Sequence, residues 1–203
     1  MMRMFGAGML AAGLLVSACS QPEAVAPLDG TWALDGAQST LGFTTVKNGA
    51  IAEAHSFSAL SGSVGADGAA SLTIDLASIA TNIDIRDERM REFLFETGTF
   101  PSATATAQLD PAAFANLAVG ESATSPVSAT LDLHGAQQAV DAELTVTRIS
   151  ADKVKVETAA PVIVDAAAFG LDAGVAKLQE LAGLDSITPQ VPVSFSLVFG
   201  KAE

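Results

Sequence analysis

Val191-Pro192-Val193-Ser194-Phe195-Ser196-Leu197-Val198-Phe199 decides the fold. Val191, Val193, Phe195, Leu197 and Phe199 fall on every second position, so an extended backbone puts all five on one face. A strand with one apolar face and one small, polar face needs a core on one side and tolerates water on the other. The same period recurs upstream. Leu72, Ile74 and Leu76 alternate in Ser71–Leu76, and Leu131 and Leu133 alternate in Ala129–Leu133. Val140, Ala142, Leu144 and Val146 alternate with Asp141, Glu143, Thr145 and Thr147, and Val154 and Val156 alternate in Lys153–Glu157. Gly30–Asp35, Ser39–Val46, Ile51–Val64 and Ser102–Leu109 complete about nine strand-length segments, a count natural to a barrel or a sandwich.

Two stretches depart from alternation. Asp84–Phe95 spaces Met90, Phe93 and Leu94 as a helix does, among Arg86, Asp87, Glu88, Arg89 and Arg91. Asp84 is its expected N-cap, and Asp87 and Glu88 suit the positive end of a helix dipole. Asp172–Leu184 is a second helix, with Val175, Leu178 and Leu181 as its stripe and Gly183 near its end. Pro111–Leu117 is a candidate short turn of helix. Nothing in the pattern indicates a second domain.

The N-terminal end reads as an address. Arg3 precedes a 13-residue apolar run, Met4–Val16, which ends at Ser17-Ala18-Cys19. A charged start, an apolar middle and small residues at a cleavage point make a secretory signal over residues 1–18, and the run is too short to span a bilayer, which takes roughly 18 or more apolar residues. Val16-Ser17-Ala18-Cys19 resembles the bacterial lipobox, in which the cysteine thiol carries a diacylglyceryl group. An ordinary cleavage after Ala18 would leave that thiol free. Lipidation is the adopted reading, because Cys19 is the only cysteine in the chain and stands at the +1 position. Residues 19–28 then form a lipidated tether with Pro22 and Pro27, and residues 29–203 the domain. Ser20 rather than aspartate after the cysteine resembles outer-membrane sorting, with the domain facing the periplasm.

With Cys19 lipidated no disulfide can form, so packing alone must hold the domain. The formal charge is −13 over 203 residues, and losing Arg3 makes the mature part more negative still. Such a surface repels nucleic acid and anionic phospholipid, and neither is an expected partner. The catalytic inventory is thin: two histidines, His55 and His134, no HExxH pair, no cysteine cluster and no Gly-x-Ser-x-Gly elbow. No catalytic residue, metal site or cofactor is expected. His134, where a strand meets Gly135, is expected to pair with backbone. His55 shares the strand parity of Ile51 and Phe57, so it is placed inward, where it could meet a ligand head group or a neighbouring hydroxyl. Arg86 is the other candidate head-group contact, with Asp87 beside it; helix capping plus local ion pairing is the more economical account of the two.

Leu72–Pro101, LTIDLASIATNIDIRDERMREFLFETGTFP, resembles the signature of the YceI-like family of lipid- or polyisoprenoid-binding proteins. An Ile-Asp-x-x-Ser-Ile strand end is followed by threonine, then Arg-Asp in a helix running to Phe-Pro. Trp32-x-Leu-Asp35, Ser39-x-Leu-x-Phe43, His55-Ser-Phe57 with Leu60-Ser-Gly62, Leu131-Asp-Leu-His-Gly135 and Val191-Pro-Val-Ser-Phe195 agree with it in order. The chain departs from the family pattern in its lipobox and in having Arg89 where a histidine often stands. The resemblance implies an all-β, eight-stranded, antiparallel, lipocalin-like barrel with one or two short helices near its mouth. It also implies a cavity for an isoprenoid or quinone-like lipid. Phe43, Phe57, Leu72, Ile74, Leu76, Leu131, Leu133, Val154, Val156, Val193, Phe195 and Leu197 are the expected lining, with Phe93 and Leu94 at the mouth. The leading function is a non-enzymatic, membrane-anchored carrier or reservoir. A filled barrel acting as a structural or stress-related interaction protein competes with it, and a hydrolase using His55 or His134 as base comes third.

Overall fold

The structure is a computed structural model and describes residues 27–202; the expected signal, Cys19 and most of the expected tether lie outside the described residues. Twelve strands form one antiparallel sheet: β1 (Trp32–Leu34), β2 (Thr40–Lys47), β3 (Ile51–Phe57), β4 (Leu60–Val64), β5 (Ala69–Asp75), β6 (Ile79–Ala80), β7 (Ser102–Gln108), β8 (Ser122–Leu133), β9 (Ala136–Arg148), β10 (Lys153–Thr158), β11 (Val162–Asp165) and β12 (Gln190–Lys201). Following the pairings β1-β4-β5-β7-β8-β9-β10-β12 and back to β1 closes an eight-stranded barrel. Closure removes the unpaired edges that an open sheet would expose.

The remaining four strands continue members of this ring. β1 and β2 both pair with the same flank of β12, at Leu34↔Phe199 and Phe43↔Val193, so they are one strand interrupted at residues 35–39. β10 and β11 likewise share the other flank of β12 and are broken at residues 159–161. β3 continues β4 along β2 and β1, and β6 continues β5 along β3 and β4. The single expected segment Ile51–Val64 is therefore two strands with a break at Ser58-Ala59. The expected segment Gly30–Asp35 contracts to three residues, and β6 and β11 were not foreseen.

Two helices sit beside the β2–β3 end. α1 (Asp84–Arg89) runs into a widened π-turn over Met90–Leu94, closed by Phe95 N–H donating to the Met90 carbonyl at 2.9 Å. α2 (Asp172–Ala182) stops at Gly183, whose φ of 61° is the left-handed cap expected there. Asp84 does not cap α1: Ile83 occupies that position without a side-chain bond, and Asp84 is the first helical residue. Asp87 instead reaches back to accept from Thr81 N–H at 2.9 Å and from the Thr81 hydroxyl. α2 packs tightly on the π-turn at Gly174, where a Cβ would lie 2.5 Å from the Phe93 carbonyl oxygen. Only a short 3₁₀ turn, Pro111–Ala113, forms in the Pro111–Leu117 stretch.

The end at β1 and the β12 C-terminus is closed. Trp32, Val154, Leu197 and Phe199 form a buried cluster, and Leu28, assigned to the tether by sequence, packs against it. Arg148, 2% exposed, donates to the carbonyls of Leu117 (3.0 Å) and Ser150 (3.2 Å), drawing the end loops together. A buried guanidinium is costly unless its donors are met, and these carbonyls meet them. The opposite end is open.

Candidate functional site

Inward-facing side chains enclose a cavity of about 580 Å³. Ligand pockets commonly occupy about 300–1,000 Å³. Its wall runs from Lys47 and Ile83 at the open end down to Val64 and Phe199. Measured along β12, from Val191 to Phe199, that is roughly 26 Å of strand at ~3.3 Å per residue. Alternation makes the wall: each strand sends every second residue inward, and in β7 these are Ala103, Ala105 and Ala107. Short alanines there leave room that larger residues would fill.

Twelve of the expected lining residues lie on this wall: Phe43, Phe57, Leu72, Ile74, Leu76, Leu94, Leu131, Leu133, Val156, Val193, Phe195 and Leu197. Val154 and Phe93 do not. Val154 has the right parity but lies below the cavity, 8% exposed in the closed-end cluster with Trp32. Phe93 is displaced by the π-turn. A wider turn rotates each residue less than an α-helix does, so Phe93 lags off the inward face and Phe95 arrives on it. Phe95 is 7% exposed and tilts against Phe57 at 5.7 Å, while Phe57 stacks on Phe43 at 5.5 Å. This ladder of three rings stiffens one side of the wall. Helical spacing in the sequence favoured Phe93, and no signal there announces the π-turn.

Polar groups gather at the open end. His55, 6% exposed, does face inward; its Nε2 bonds the Thr45 hydroxyl at 2.9 Å and its ring lies 5.2 Å from Phe43. Two residues further toward the opening, Glu53 bridges Lys47 at 2.8 Å and Arg86 at 3.0 Å. Arg86 also donates to the Thr81 carbonyl at 2.7 Å. Arg86 is thus tied to Glu53, Thr81 and α1 together, rather than paired with Asp87 as expected. Two buried nitrogens of this group, His55 Nδ1 and Arg86 Nε, have no hydrogen-bond partner among the described residues. Burial, and then the nearby Arg86 charge, hold the His55 imidazole below its ordinary value. The hydrogen-bonded Lys47 ammonium holds the Glu53 carboxyl below the usual carboxylate range, with the Arg86 charge adding to it. The site therefore presents a neutral imidazole beside a compensated ion triad.

His134 lies outside the cavity wall. It adopts φ 54° itself, as the first residue of the β8–β9 turn with Gly135, and its Nε2 bonds Glu96 at 2.8 Å while its ring packs on Phe100 at 4.4 Å. Its partners are side chains, not the backbone expected. Among the described residues no group of three or more His, Cys, Asp or Glu is placed to hold a metal ion, and no helix is long and apolar enough to cross a membrane.

A family model described as the YceI-like domain matches residues 32–199. Among solved structures, a polyisoprenoid binding domain from Saccharophagus degradans implicated in plant cell wall breakdown is 44% identical. It covers 84% of this chain and 98% of that chain with a TM-score of 0.82. BcnA of Burkholderia cenocepacia is 20% identical, covers 81% and 98%, and superposes with a TM-score of 0.64. A Campylobacter jejuni YCEI protein is 16% identical over 73% and 85%, with a TM-score of 0.52. The last two show likeness of fold alone. No curated protein matches the chain.

Proposed function

The chain belongs to the YceI-like domain family, and from that premise we propose that its barrel holds one long-chain isoprenoid or quinone-like lipid as a carrier or reservoir. The observation that carries this reading is the cavity itself: about 580 Å³, walled mainly by aliphatic and aromatic side chains along its length, with its charged groups and its histidine gathered at one end. A prenyl tail matches the wall and an oxygenated head group matches the end. The polyisoprenoid binding of the 44% identical domain points to the same ligand class.

Energetics fit. Ten buried methylene-sized groups supply roughly 8 kcal/mol at ~0.8 each, which corresponds to about micromolar affinity before association costs. The polar end around His55, Glu53 and Arg86 receives the head group, so the tail supplies affinity and the head supplies orientation. A barrel packed solid by its own side chains would leave no such volume, and binding rather than catalysis is the reading we adopt. We further propose that Cys19 is lipidated after export, holding the domain at a membrane, by default the outer membrane facing the periplasm.

Organic extraction of the full chain purified from its own host, followed by mass spectrometry, tests the ligand. A stoichiometric isoprenoid is the expected result. Recovery of no lipid, together with failure of the protein to take up solanesol from detergent, would refute it. Metabolic labelling with a palmitate analogue tests the anchor: incorporation is expected and should disappear with Cys19→Ser.

A further inference from the structure

The open end carries apolar groups that the barrel does not need for its core. Ile51, Ile83 and Ile85 are 50%, 46% and 52% exposed. Ile83 and Ile85 also line the cavity, so the exposed rim and the inner wall are one continuous surface. Ile51 joins them through the strand register: it lies two residues beyond Glu53 on the same face of β3, and Glu53 holds Arg86 beside Ile85. Ile51 also stands opposite Lys47, which in turn pairs with Ile187. An apolar tail leaving the cavity passes the Lys47–Glu53–Arg86 cluster on one side and the half-exposed Ile83 and Ile85 on the other.

The chain enters the barrel at the other end. Ala202 N–H donates to the Thr31 carbonyl and Lys201 pairs with Asp29, both beside the closed-end cluster that Leu28 joins. β12 runs twelve residues from that end to the open one. At ~3.3 Å per residue and a tilt of ~40°, the two ends are roughly 28 Å apart. The eight steps from Cys19 to Pro27 reach at most about 29 Å when fully extended. A lipid on Cys19 would need a taut tether along the barrel flank merely to lie level with the rim.

We propose that the rim of Ile51, Ile83 and Ile85 is a docking surface for a lipid bilayer other than the one that holds the tether, so that the cavity exchanges its lipid in trans. This rests on the lipid-binding and anchoring reading above and adds its direction. The contact is apolar rather than ionic, which agrees with the −13 charge of the chain. A zwitterionic surface is the fitting partner.

Because lipidation consumes the only native thiol, Asp84→Cys gives the full lipidated chain a single labelling site between two rim isoleucines. With the chain in phosphatidylcholine vesicles and bimane at position 84, brominated phosphatidylcholine is placed either in those vesicles or in a second, added population. Loss of more than half the fluorescence on adding the second population, and none from the first, is expected. Ile51→Asp, outside the cavity wall, should reduce that quenching several-fold and leave uptake of solanesol from detergent unchanged. Quenching from the tethering vesicles, alone or with the others, overturns the trans geometry. Quenching from neither overturns the docking surface; retained solanesol uptake then leaves the lipid-binding reading standing, and lost uptake removes both. A chain that does not stay with its vesicles overturns the proposal through its anchor.

Discussion

Replacing Phe57 with leucine isolates the ring ladder from simple loss of apolar volume. Phe57 is 8% exposed and touches two other rings, Phe43 at 5.5 Å and Phe95 at 5.7 Å between centroids. Leucine keeps a buried aliphatic group of comparable chemistry but forms neither pair. Each such pair contributes about 0.5–1.5 kcal/mol beyond its buried area, so losing both costs about 1–3 kcal/mol. In a chain of this size that is a fall in Tm of about 2–12 °C, at ~2–4 °C per kcal/mol. Urea unfolding of the full-length protein followed by circular dichroism measures it. Phe43→Leu and the double variant complete a cycle whose coupling energy should be about 0.5–1.5 kcal/mol. A single-variant loss below about 0.5 kcal/mol, or no coupling in the cycle, would mean that the rings merely lie near one another and do not support the wall. Solanesol uptake should persist in Phe57→Leu, since a widened wall still buries a flexible tail.

The remaining predictions concern titration, helix packing and a turn. His55 binds its proton less tightly when folded, so as pH falls through its ordinary value of 6.5 the unfolded chain takes up protons first and stability declines, levelling below the folded value. The difference in urea midpoint between the wild type and His55→Gln should therefore change between about pH 8 and pH 5.5, and a pH-independent difference would contradict a neutral, buried imidazole. Gly174→Ala drives a Cβ to 2.5 Å from the Phe93 carbonyl oxygen and 2.8 Å from Leu94 Cα, both backbone atoms. It should cost about 1–3 kcal/mol on denaturant unfolding. His134→Val places a β-branched residue at φ 54° and should cost at least the ~1–2 kcal/mol of the left-handed region. His134→Asn, tolerated there, should cost less.

What the sequence disclosed followed from periodicity. The inward faces of β5, β8, β9 and β12 are plain because their alternation is uninterrupted and each has one solvated face. α2 was legible because Gly183 ends it and Val175 and Leu178 recur at helical spacing. The strand breaks were not recognised: the apolar phase shifts from Phe57 to Leu60 across Ser58-Ala59, but no proline or glycine marks the shift, so Ile51–Val64 reads as one run. β11 is four residues after Pro161, too short to register. At the site, parity placed His55 correctly, yet its partner Thr45 lies across a strand pairing that no local pattern encodes. Phe95 was missed in favour of Phe93 because the π-turn changes the rotation per residue. Arg148 was missed because a charged residue at a strand end ordinarily faces water, and only the closed-end carbonyls make its burial tolerable.

The breaks in four of the eight long strands fall near one level, and that level divides the barrel into two storeys. Below it, β1, β4, β5 and β10 complete a ring in which every strand is hydrogen-bonded on both sides. Above it, β6 ends the β12-β2-β3-β6 path without a further partner strand, so the upper wall is laced on one side only. Local opening follows such differences in backbone pairing. The amides of β6 and β11, each paired on one side only, will accordingly exchange with solvent before those of β4, β5 and β10, and in the proposed lipid carrier the upper storey is the part that would widen for a lipid of greater girth while the lower one keeps the fold's register.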